Sequence, residues 1–249
     1  MPERSNKDKI RGLLKAIETG DPEGVAVVNE AKYIQHNPQT HEGSEGLASL
    51  FARLSKTNPR VNVVRAFEDG DFVFGHTEYD FSTRRIGFEV FRFEDGQAVE
   101  HWDNIQPRLG PNPSGRSMVD GPVAAGDLSE TEANREVIRA YVDQVLIGKK
   151  LHLLEKFVEM DLVQHNPDLT DGASALQEAL KDESLVYQRC HRILAEGSFV
   201  LSVCEGSRGG THTSFYDLHR IEHGKIVEHW DTIEKVPPAS EWKNTNGKF

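Results

Sequence analysis

Val99-Glu100-His101-Trp102-Asp103 recurs as Val227-Glu228-His229-Trp230-Asp231, and Gln35-His36-Asn37-Pro38 recurs as Gln164-His165-Asn166-Pro167. The offsets are 128 and 129 residues, so two blocks rich in uncommon residues return in the same order and almost the same register. A chain of 249 residues is longer than one hydrophobic core usually serves. The repeat divides it into two modules of about 110 residues, each with its own core.

Weaker matches fill the space between the two blocks. Ile10, Leu13, Leu14 and Ile17 map onto Ile138, Tyr141, Val142 and Val145, and Gly20 onto Gly148. The i, i+3, i+4, i+7 spacing predicts an amphipathic helix that ends near Gly20, and Ser129 with Glu132 predicts a capping box for its second copy. Leu47, Leu50, Phe51 and Leu54 mark a further helix after the QHNP turn. Three β-type segments at about 61–68, 71–79 and 86–94, parted by Glu-Asp-Gly and similar turns, lead to the EHWD strand. Helices first and antiparallel strands afterwards is an α+β order. The expected domains are residues 1–106 and 129–236. A Pro/Gly/Ser-rich linker at 107–128 joins them, and a tail at 237–249 is partly loose unless Trp242 and Phe249 dock it.

The formal charge of −11 and the absence of Lys/Arg clusters interleaved with aromatics argue against a nucleic-acid partner. No run of about 18 apolar residues predicts a membrane span, and the first residues lack the apolar stretch of a secretory signal. The expected location is cytoplasmic. Cys190 and Cys204 show neither CxxC nor zinc spacing and read as buried free thiols.

On a strand, alternate side chains share a face, so His101 and Asp103 point one way while Glu100 and Trp102 point the other, and His229 and Asp231 repeat this. His36 lies in the turn and His76 on the strand through Phe72–Tyr79, so His36, His76, His101 and Asp103 could converge in the first copy. The second copy keeps His165, His229 and Asp231 but has Val203 at the position of His76, which predicts two pockets of different polarity. A desolvated carboxyl beside imidazoles is a sensible general acid/base set. The same residues also admit structural readings: His-x-Asp as a hydrogen-bonded pair and QHNP as turn chemistry. Glu89 and Asp217 correspond on the third strand and are either pocket carboxylates, with His165 among the groups touching substrate, or exposed charges. Three histidines and one Asp could bind a metal, but their segments show no diagnostic spacing and no metal is assigned.

The order of helix, YIQHNP turn, helix, EDGDFV strand, FEVFRFEDG strand and VEHWDNIQ strand resembles the SnoaL-like polyketide cyclase group of the nuclear-transport-factor-2-like superfamily. The resemblance covers residues 5–106 and, less cleanly, 130–234. It implies two cystatin-like, cone-shaped domains, each a curved antiparallel sheet wrapped around helices over an apolar pocket. It also implies cofactor-free chemistry in which the Asp of the HWD strand, Asp103 or Asp231, is the acid/base residue and His101 or His229 its neighbour. Such domains pair through the outer faces of their sheets, so the two halves are expected to pack as an intrachain pseudo-dimer, with Trp102 and Trp230 on the packed side. The loss of the His76 equivalent puts the second copy's activity in doubt. The expected activity is of lyase or isomerase type on a small, mostly apolar carbonyl compound: aldol cyclisation, isomerisation or dehydration, led by Asp103 with His36, His76 and His101. The alternatives are a non-catalytic pocket for a small hydrophobic ligand, and a water-activating hydrolase or hydratase in which Glu89 supplies the second carboxylate.

Overall fold

The computed structural model describes residues 4–249, and of Ser44 the backbone alone; Met1, Pro2 and Glu3, at the start of the first expected domain, lie outside the described residues. The chain divides into two units, Met1–Arg108 with Val236–Phe249, and Leu109–Lys235.

In the first unit, helix α1 (Asn6–Thr19) starts where the Ser5 hydroxyl accepts from the Asp8 N–H and stops at Gly20, whose φ of 70° is left-handed. Its buried stripe is Ile10, Leu13, Leu14 and Ile17, as the spacing predicts. A short α2 (Pro22–Val25), β1 (Ile34–Gln35) and α3 (Gly43–Leu54) follow. Then β2 (Arg60–Asp69), β3 (Phe72–Asp80), β4 (Arg84–Glu94) and β5 (Gln97–Pro107) form an antiparallel meander. The strand order is β1-β5-β4-β3-β2, with β1 parallel to β5. Asp95 and Gly96 both take positive φ in the turn between β4 and β5, which is why Asp-Gly stands there.

The second unit repeats the plan with α4 (Thr131–Tyr141), α5 (Leu154–Phe157), β6 (Val158–Gln164), α6 (Ala173–Leu180), β7 (Leu185–Glu196), β8 (Phe199–Arg208), β9 (Thr211–Glu222) and β10 (Lys225–Lys235). Its order is β6-β10-β9-β8-β7, with β6 parallel to β10. The α4 stripe runs on through a π-helical turn, Val142–Ile147, so Ile138, Tyr141, Val142 and Val145 all reach the core. Two five-stranded α+β sheets of matching order are the expected fold class and fit a tandem duplication.

Three local expectations change. The Ser129–Glu132 box does not form: Asp127 accepts from the Ser129 N–H and hydroxyl, and Glu132 pairs with Arg135. The segment read as a linker has almost no regular structure, yet it is hydrogen-bonded within the second unit. Asn112 Nδ2 donates to Gln164 O (2.7 Å) and Trp230 Nε1 to Asp120 O (2.9 Å). Proline and glycine had removed periodicity, not contacts. The tail, likewise, is anchored in the first unit: Asn244 Nδ2 donates to Thr40 O (3.0 Å) and Asn246 Nδ2 to Gln35 O (3.0 Å). Trp242 Nε1 donates to the nearby Pro237 O (2.7 Å). Cys190 and Cys204 are free and face each other across β7 and β8, Cys204 buried and Cys190 partly so. Among the described residues, no helix is long and apolar enough to cross a membrane.

Candidate acid-base sites

In the first unit, β4 and β5 set Glu89 directly opposite Asp103 and Phe91 opposite His101. These four share the face that α1 covers: a Cβ built on Gly75, which pairs with Glu89, would lie 3.5 Å from Leu14 Cδ1. His101 Nε2 meets Glu89 Oε2 at 2.8 Å, and the Tyr79 hydroxyl donates to Glu89 Oε1 at 2.8 Å. Gly87 makes room for that bond, since a Cβ there would stand 2.6 Å from both Glu89 Oε1 and the Tyr79 ring. Gln35 Oε1 accepts the Asn37 N–H (2.9 Å), which turns the amide oxygen toward His101 Nδ1 (3.0 Å). Asn37 Nδ2 donates to Asp103 Oδ2 (2.5 Å). On the other side of Asp103, the buried Lys248 ammonium donates to the backbone oxygen at 2.7 Å and to Oδ1 at 3.3 Å.

Of the four residues expected to converge here, His101 and Asp103 do so, joined by Glu89. His36 does not. Its ring stacks on Trp102 (centroids 4.6 Å apart) and meets Glu100 Oε1 (2.9 Å) on the opposite face of β5. His76 also faces away, because it pairs with Phe88, whereas the pocket side of β3 carries Gly75, Thr77 and Tyr79. Arg65 donates to its Nδ1 (2.7 Å). The turn's contribution to the site is therefore Gln35 and Asn37, the neighbours that flank the outward-pointing histidine. That these residues recur at Gln164 and Asn166 was the available signal.

The second unit repeats most of this. His229 Nδ1 faces Gln164 Oε1 (2.9 Å), which also accepts the N–H groups of His165 and Asn166 (3.0 Å each). His229 Nε2 meets Asp217 Oδ1 (3.1 Å), and Asn166 Nδ2 donates to Asp231 Oδ2 (2.5 Å). His165 behaves as His36 does, stacked on Trp230 at 4.7 Å and bonded to Glu228 (2.8 Å), so it leaves the substrate-facing set. Val203 faces away just as His76 does, since Ser202 is the residue opposite Asp217. The difference in pocket polarity lies elsewhere, at Phe91 and its counterpart His219, which β9 places opposite His229. His219 and the cavity tyrosines, Tyr141 and Tyr187, carry no motif and were missed. Tyr187 hydrogen-bonds Asp217 from β7, whereas Tyr79 reaches Glu89 from β3.

A cavity of about 150 Å³ opens against these groups. Asn166, Asp217, His219, His229 and Asp231 form a buried polar wall, the charged Asp168, Asp182 and Arg208 also line it, and Leu146, Leu169, Leu176, Leu180, Leu185 and Ile233 are among its apolar lining. Burial pushes the Asp231 carboxyl up to about 6; His229 pulls against that rise and the charge of Asp217 adds to it. For His229, burial opposes the charge, but the bond to Asp217 and the charges of Asp231 and Asp217 prevail and its pKa is raised. With Nδ1–H committed to Gln164, the proton on Nε2 is shared with Asp217. His219 is held well below the usual histidine range, by burial first and then by His229, so it stays neutral. Burial, with Asp217 nearby, raises Tyr141 and Tyr187 and keeps both hydroxyls protonated.

Glu89, His101 and Asp103, and likewise Asp217, His229 and Asp231, each present one ligand atom within 4.8 Å of the others. In both trios the histidine nitrogens already face a Gln oxygen and a carboxylate. In the second trio a cation would have to displace the proton shared by His229 and Asp217.

Residues 10–101 match the model of the SnoaL-like domain. No curated protein matches the chain. Among solved structures, a Kribbella flavida DSM 17836 protein assigned as a ketosteroid isomerase is 17% identical, over 44% of this chain and 84% of that one, with a TM-score of 0.40. An LEH-like epoxide hydrolase from M. tuberculosis is 19% identical over 42% and 85%, with a TM-score of 0.36. IdmH of Streptomyces antibioticus, assigned as a polyketide cyclase, is 19% identical over 41% and 93%, with a TM-score of 0.37. None of these likenesses carries a residue role to this chain.

Proposed function

Residues 10–101 being a SnoaL-like domain whose sheet order returns in the second unit, we propose that the chain is a cofactor-free acid/base enzyme acting on a small, mostly apolar carbonyl compound. The working carboxylate in this reading is Asp231 of the second unit, not Asp103 as the sequence suggested. One observation carries it: Asp231 is buried in the polar wall of a cavity whose other lining is largely leucine, and its carboxyl is pushed up to about 6. A base whose pKa lies near the working pH is both ionised and strong enough to take a proton.

In the reaction, Asp231 removes a proton from carbon α to the carbonyl, with Asn166 holding its Oδ2 in place. Tyr141, protonated and lining the cavity, is the donor available to the carbonyl oxygen as negative charge builds on it. His229, fastened to Gln164 and Asp217, fixes the local charge. Asp231 then returns the proton to the product, so that aldol cyclisation, isomerisation and dehydration are all within its range.

Replacing Asp231 with Asn keeps the shape and removes the base. Turnover should fall by at least about 100-fold, the scale of general acid–base catalysis, and by far less in D103N. Undiminished turnover in D231N would sink the assignment.

The second carboxylate, Asp217, also favours a water-activating hydrolase, since Asp217 and Asp231 could hold a water between them. Incorporation of 18O from labelled water into a new hydroxyl or carboxyl group of the product, beyond the exchange at the carbonyl oxygen seen without enzyme, separates the two: proton transfer alone adds no such oxygen.

A further inference from the structure

The two copies share their strand motif, the Asn that holds the Asp and the Gln that holds the His, so the motif alone does not say why one carboxylate would react and the other not. The difference lies in the segment that lies over each turn. In the first unit, Gly247 O meets His36 Nδ1 at 2.8 Å; in the second, Ser117 O meets His165 Nδ1 at 2.7 Å. The next residue is Lys248 in one and Met118 in the other, each 2% exposed. Building on the functional reading above, we propose that Lys248 keeps the first copy out of the reaction, so that this one residue, and not the HWD motif, selects which copy transfers protons.

The geometry supports this directly. The Lys248 ammonium touches Asp103 at two oxygens, one of the backbone and one of the carboxylate, while Asn37 takes the other carboxylate oxygen. Both carboxylate oxygens that would take a proton from carbon are therefore already engaged by N–H donors. Other groups near Asp103 include His101, Glu89, Tyr33 and Tyr79. The groups around Asp231 include Asn166, His229, Asp217, Tyr187 and Arg208, and Arg208 is more than half exposed and lies 3.7 Å from Asp168.

The test uses the full chain and two readouts. Against a D231N background with its turnover loss, D231N/K248M should recover at least tenfold, and D103N added to it should abolish the recovery; K248Q replaces K248M if that variant does not fold. Independently of any substrate, acetylation of the Lys248 amine, followed by mass spectrometry, should run at least tenfold slower than that of exposed Lys150 and should accelerate in D103N. A folded D231N/K248M with no recovery, or a Lys248 that acetylates as fast as Lys150, overturns this inference alone. Full turnover in D231N brings down the functional reading and this inference with it.

Discussion

Asp231 should cost the second unit stability at neutral pH, and the size of that cost follows from the site. Its carboxyl is pushed from an ordinary 3.8 to about 6, a difference of roughly two units. At 1.36 kcal/mol per unit, this amounts to about 3 kcal/mol. The sign is set by proton binding: between those values the folded chain holds a proton that the unfolded chain has released. The cost is therefore absent below about pH 4, grows as the pH rises between those values, and is complete above about 6. D231N carries no charge to bury and can still accept from Asn166 through its amide oxygen. It should be more stable than the native chain by up to about 3 kcal/mol at pH 7.5 and nearly equal to it at pH 4. Urea unfolding at both pH values, with hydrogen exchange of the β10 amides to follow the second unit, measures the difference. A D231N chain equal to or less stable than the native one at pH 7.5 would refute the argument that burial dominates this carboxyl.

The same group sets a pH–rate profile: because the base must be ionised, kcat/KM should rise with pH through about 6 and then level, and a flat profile from pH 5 to 8 would exclude Asp231 as the base. Gly87→Ala should cost about 1–3 kcal/mol in urea unfolding, since its methyl would stand 2.6 Å from Glu89 Oε1 and the Tyr79 ring and break the bond between them; an unchanged midpoint would show that the cradle is slack. His76→Phe should leave turnover within about twofold, because His76 faces away from the pocket, and a loss of tenfold or more at unchanged stability would return it to the site.

Much of this was present in the sequence because it depends on local geometry. Strand alternation alone puts His101 with Asp103 and His229 with Asp231, and helical spacing alone selects the stripe of α1. The repeated blocks established the duplication and the α+β order without reference to coordinates. The errors arose where a side chain's face depends on pairing with a distant strand. His76 was on the right strand but on the outward parity, a fact fixed by its pairing with Phe88. His36 was the conspicuous residue of its turn, yet with its ring stacked on Trp102 it is the less noticed Gln35 and Asn37 that point inward. Desolvation belongs to tertiary structure as well, since identical HWD motifs carry carboxylates whose surroundings differ. Lys248 stands 145 residues from Asp103, and no periodicity, motif or composition links them. Sequence by itself determined the repeat, the element types and which motif residues share a face, because those follow from periods of 2 and 3.6 along the chain. Only the tertiary structure decided which face is the pocket and which carboxylate meets an ammonium, because both depend on where remote segments come to rest.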